Sequence, residues 1–138
     1  MKSKFFKIHE LVPKLLFETI HEEVLWRMIP DEIIESIDAV KARFSSGSMT
    51  INNYFWEGDR EWSGLRLKGS PFYSEGSLHS LFEAFDAVFS NYDAQRVRDY
   101  IVVHPDEFPH IRRLEGKVSW LHADIKETNT KKIVIFNA

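Results

Sequence analysis

The chain has 138 residues, 43% of them apolar, with eleven Phe and four Trp; this is one domain's worth of sequence, with enough hydrophobic material for a core and too much for disorder. A net charge of −3 without a dense Lys/Arg cluster excludes general nucleic-acid binding, which needs a basic face. There are no cysteines, so disulfide staples, thiolate metal knots and a cysteine nucleophile are excluded, and any metal must be held by His, Asp or Glu.

Met1 to Glu10 starts basic but meets a charge before an apolar run can form, and no stretch reaches the length of a membrane span. The expectation is a soluble protein made in the cytoplasm without an export signal, with no membrane partner. No repeat, linker or low-complexity tract interrupts residues 1–138, which predicts a single domain.

Phe6 to Leu11 forms an opening segment that ends near Pro13. From Lys14 to Met28 the residues Leu15, Leu16, Ile20, Val24 and Met28 recur at helical spacing, with Leu25 and Trp26 broadening that face. Pro30-Asp31-Glu32 opens a second helix, whose apolar stripe is Ile33, Ile34, Ile37, Val40 and Phe44 and which ends before Ser45-Ser46-Gly47-Ser48. Met49 to Phe55 reads as a strand and Glu57 to Arg60 as a turn. Lys68 to Pro71 and Ser74 to Ser77 bracket an exposed loop. Leu78, Leu81, Phe82, Phe85, Val88 and Phe89 then repeat at helical spacing, so periodicity alone predicts an amphipathic helix. Asp93 to Val103 reads as a helix capped by Asp93 or Ser90, with Val97, Tyr100 and Ile101 inward, closed off by Pro105 and Pro109. Val118 to Ile125 alternates, placing Val118, Trp120, His122 and Asp124 on one face, and Lys132 to Phe136 is a final strand. Helices in front and strands behind predict an α+β domain with N-terminal helices packed on a mostly antiparallel sheet.

Two stretches carry the chemistry. Ser77-Leu78-His79-Ser80-Leu81-Phe82-Glu83-Ala84-Phe85-Asp86 resembles the Ser-x-His-x-x-Gly-x-Ala-x-Asp signature of a zinc peptidase family. That family contains D-alanyl-D-alanine carboxypeptidases and L-alanyl-D-glutamate endopeptidases, phage endolysins among them, and has the hedgehog/DD-peptidase fold. Trp120-Leu121-His122-Ala123-Asp124 resembles the Trp-x-His-x-Asp form of its second motif in small phage and bacterial members. Ile51-Asn52-Asn53 and Ser63-Gly64-Leu65-Arg66 resemble the segments before the first motif, so the likeness runs in order from Phe6 to Phe136.

The resemblance implies that His79, Asp86 and His122 ligate Zn2+ and leave its fourth position to water or substrate. It also implies that Arg66 holds a substrate carboxylate or polarises the scissile carbonyl. Peptide hydrolysis would then proceed by direct attack of metal-activated water. The expected partner is a peptidoglycan stem or cross-link peptide, met by a monomer at the cell wall after release. Ser77, Trp120 and Asp124 are expected to support the ligands from behind or to meet substrate; Asp124 faces the same side as His122 and either orients its ring or adds a fourth ligand.

This reading contradicts the helical periodicity. Residues seven apart on a helix are about 10 Å apart along the axis, whereas ligands of one zinc lie roughly 3 Å apart. His79 and Asp86 therefore require a turn around Ser80 to Glu83 and a strand from Ala84 to Phe89, with Ala84, Asp86 and Val88 on one face. Without the resemblance, His79 and Asp86 are a surface pair on an amphipathic helix, His122 is a hydrogen-bonded strand histidine, and the domain is a metal-free interaction module. Two positions depart from the family pattern. The motif glycine is Phe82, and the acid that many members carry three residues before the last His is Ser119. Glu115, seven residues upstream of His122, is the best substitute for a general base and resembles an acid found in the Trp-x-His members. These departures motivate the alternative of a catalytically inactive zinc-binding domain, either a phage structural component or a cell-wall-binding one.

Overall fold

A computed structural model describes residues 1–67, 70 and 77–138. Most of the loop expected between Lys68 and Ser77 lies outside the described residues. Helix α3, Asp31–Arg43, starts after Pro30 with two acids in its first turn and ends at Phe44. Its stripe Ile33, Ile34, Ile37 and Val40 is fully buried, as its spacing predicts. Helix α4, Ala94–Val103, is capped by Asp93, whose Oδ1 accepts from Arg96 N at 2.8 Å, and it buries Val97 and Ile101.

The helix expected from Lys14 to Met28 is two helices, α1 (Lys14–Thr19) and α2 (Glu22–Met28). The chain is extended at Ile20, and His21 caps α2 by accepting the Glu23 N–H on its Nδ1 at 3.2 Å. The break turns the expected stripe outward: Leu15, Ile20, Val24 and Met28 are exposed, while Leu25 and Trp26 enter the core.

Among the described residues, five strands form a mostly antiparallel mixed sheet: β1 (Met49–Thr50), β2 (Ala84–Phe89), β3 (Arg113–Glu115), β4 (Leu121–Asp124) and β5 (Val134–Phe136). Their order is β1-β2-β4-β3-β5, with only β3 and β5 parallel. The α+β class is therefore as expected, although β3 has no counterpart in the sequence reading. The strand expected over Met49 to Phe55 stops after Thr50 because Asn52 and Asn53 divert the chain. Asn52 donates from Nδ2 to Val12 O and accepts Ser63 N–H, Asn53 accepts Arg60 N–H, and a 3₁₀ turn follows at Tyr54–Trp56.

Alternation divides the sheet. Phe85, Ala87, Leu114, Leu121 and Ala123 face the helices and are fully buried. The opposite face of β2, β4 and β3 presents Asp86, His122, Asp124, Arg113 and Glu115. Among the described residues, no helix is long and apolar enough to cross a membrane.

Candidate metal centre

The centre begins at Ser77, whose Oγ accepts the His79 N–H at 3.3 Å and starts a 3₁₀ turn over Leu78–Leu81. Phe82 ends that turn in the left-handed region (φ 55, ψ 35), and its N–H donates to His79 O. The chain then enters β2 directly, so the amphipathic periodicity across Leu78 to Phe89 does not make a helix. Glycine suits this backbone conformation; phenylalanine occupies it because its ring is buried in the core, 1% exposed.

The reversal places His79 beside Asp86, and sheet register supplies His122, which lies directly across from Asp86 on β4. His79 Nε2 is 3.3 Å from Asp86 Oδ1, and His122 Nδ1 is 2.9 Å from the same oxygen. One donor atom from each of these three residues lies within 4.8 Å of the other two, and the group can hold a metal ion. The donor set fits: two imidazoles and a carboxylate without thiolate suit zinc and leave coordination positions open. His79 donates its Nδ1–H to Gly64 O at 2.9 Å, which leaves Nε2 as its ligating atom. Burial opposes the charge on Asp86, but hydrogen bonds from His122 and His79 outweigh it and hold the carboxyl well below the usual range.

Gly64 makes that contact possible. A Cβ there would sit 2.1 Å from Leu11 O, so the segment passes its neighbour only without a side chain. Gly64→Ala is expected to push this strand of chain outward and loosen the His79 ring. Zinc titration should give affinity lower by about 10–100-fold, the usual cost of losing an outer-shell partner.

Asp124 lies on the far side of the His122 ring. Its Oδ2 accepts from His122 Nε2 at 3.1 Å, Arg113 grips it from Nε and Nη2 at 3.0 and 2.9 Å, and Lys126 N–H also donates to it. These partners occupy the Asp124 carboxylate, and it does not belong to the His79, Asp86 and His122 group whose donor atoms lie together. Arg66 donates from Nη2 to Asp86 Oδ2 at 3.2 Å and from Nε to Trp62 O. Burial lowers its pKa, against the charges of Asp86 and Glu115.

The three residues open into a cavity of about 350 Å³ lined also by Arg66, Glu115, Trp120, Lys126 and Phe136. A second cavity of about 420 Å³, walled by Asp59, Arg60, Glu61 and Trp62, meets the first at Arg66, Asp86 and Trp120. Together they make a groove that passes the centre at Asp86. Glu115, on β3, is on its wall, whereas Ser119 is exposed and lines neither cavity.

Two arginines escaped the sequence reading. Arg113 sits on the three-residue strand β3, too short for periodicity to register. Arg98, 4% exposed on α4, donates to the carbonyls of Trp120 and Val118 and fixes the approach to His122. The fold and the site together define an α+β protein with a His/Asp/His group able to hold a metal. No family model, curated protein or solved structure matches the chain.

Proposed function

We propose that the protein is a zinc-dependent peptidase of hedgehog/DD-peptidase-like type that hydrolyses a peptide bond in peptidoglycan stems or cross-links. One observation carries the reading: His79 Nε2 and His122 Nδ1 both lie beside Asp86 Oδ1, and the three residues line one open cavity. Zinc held there supplies Lewis-acid polarisation of the scissile carbonyl and lowers the pKa of water. Arg66, at the junction of the two cavities, offers a cation to the oxyanion or to a substrate carboxylate. Glu115 accepts the proton of the attacking water and returns it to the leaving amine. Trp120 and Trp62 give the groove flat walls against which an extended peptide lies.

The test is metal analysis of protein purified without a His tag, paired with release of new amino groups from peptidoglycan. One zinc per chain and rising amines are expected. Glu115→Gln should keep the zinc and lose about 100-fold or more of the rate, as removal of a general base does. Zinc-loaded protein that binds peptidoglycan yet releases no amines would instead identify an inactive wall-binding domain. Protein that takes up no metal would end both readings.

A further inference from the structure

Each imidazole has two nitrogens, and only one can face a metal; the hydrogen bond made by the other decides which. His79 spends Nδ1 on Gly64 O and presents Nε2. His122 does the reverse, presenting Nδ1 to the centre and Nε2 to Asp124. The two rings lie 5.3 Å apart and 64° to each other, so exchanging the nitrogens of His122 would aim its ligating atom away from Asp86.

Asp124 does not hold that position unaided. Arg113 is its direct cross-strand partner between β3 and β4, so both side chains leave the same face of the sheet. The guanidinium makes a two-pronged contact with the carboxylate, which is fully buried. Its own plane is fixed by the Phe136 ring, 4.1 Å away on β5. The His122 ring touches the same Phe136 edge-on at 5.6 Å. Phe136, Arg113, Asp124 and His122 thus form one chain of contacts from the edge strand to the metal-facing nitrogen.

We infer that Arg113 is a positioning residue: by clamping Asp124 it fixes the His122 ring so that Nδ1 is the metal ligand. This rests on reading the three residues as a metal centre and is independent of which bond is cut. Without the fork, Asp124 keeps only one backbone amide and the imidazole it is meant to orient, and its carboxylate is free to rotate.

The test uses the full chain and zinc alone. Zinc dissociation constants come from chelator competition, and the 15N shifts of the His122 ring report which nitrogen holds zinc and which the proton. The wild type is expected to show zinc on Nδ1 and the proton on Nε2. Arg113→Ala should weaken zinc by about 10–100-fold and mix the two ring forms, and Arg113→Lys, with one prong in place of two, should fall between it and wild type. Should Arg113→Ala fail to fold, Arg113→Lys carries the comparison, judged against an unchanged amide spectrum. Wild-type shifts and affinity within about threefold in the folded variant would overturn the inference, as would zinc on Nε2 in the wild type. Zinc on Nδ1 without peptide hydrolysis would overturn the peptidase reading alone.

Discussion

On the proposed reading, His122→Ala is expected to abolish stoichiometric zinc binding and peptide hydrolysis together. The ring supplies one of three protein donors, and the remaining pair, His79 and Asp86, makes an incomplete site. The loss should exceed the roughly 10–100-fold typical of outer-shell partners. Retained zinc at wild-type affinity would remove His122 from the centre. The same residue sets a pH dependence. In the metal-free protein burial works against a charged His122, but hydrogen bonds to Asp124 and Asp86 outweigh it and raise its pKa to about 9. A raised folded-state pKa gives stability that is complete below about pH 6.5, where the unfolded ring is also protonated, and that is lost as pH rises through about 9. Urea midpoints of the metal-free wild type should therefore fall across that window, and His122→Ala should lose that contribution. Zinc must displace the proton, so the wild-type dissociation constant should drop about tenfold per pH unit from about pH 7 and level off above about 9. Calorimetry in buffers of different ionisation heat should find about one proton released per zinc near neutrality. A zinc affinity flat across this range would contradict the assignment of His122 Nδ1 as a ligand.

Local signals carried the helices and the ends of the site unequally. The stripe of α3 is legible because Ile33, Ile34, Ile37 and Val40 point one way and bury completely. The stripe from Leu15 to Met28 has the same spacing but is cut at Ile20, and no residue there announces the break except His21, an uncommon cap. Strand β3 is invisible because three residues hold no period, and with it goes Arg113. The pairing of Asp86 with His122 is long-range and comes from sheet register, which spacing along the chain does not encode. Over Leu78 to Phe89 periodicity pointed to a helix, while the demand that two side chains seven residues apart share one ion pointed to a turn and a strand. The turn and strand are what the structure contains: Phe82 ends the turn in the left-handed region and Asp86 pairs with His122 across the sheet, and a hydrophobic period encodes neither.

That bend yields the second large effect. Phe82 combines a left-handed backbone, worth roughly 1–2 kcal/mol of strain for a residue with a Cβ, with a ring buried to 1% exposure against the passage of Gly64. Phe82→Ala keeps the strain and deletes the ring, and is expected to cost about 3–5 kcal/mol in urea unfolding. Phe82→Gly deletes the same ring but relieves the backbone, so it should be milder than Ala by about 1 kcal/mol. In a helix or strand interior the order is the opposite, with Gly worse than Ala. The inverted order therefore reports the conformation at residue 82 directly. It also separates two roles of the position: Phe82→Gly should preserve the turn that brings His79 to Asp86, and zinc affinity should survive in the folded fraction. If Gly proves worse than Ala, or if zinc is lost while the fold remains, the bend is not held in the way the backbone angles describe.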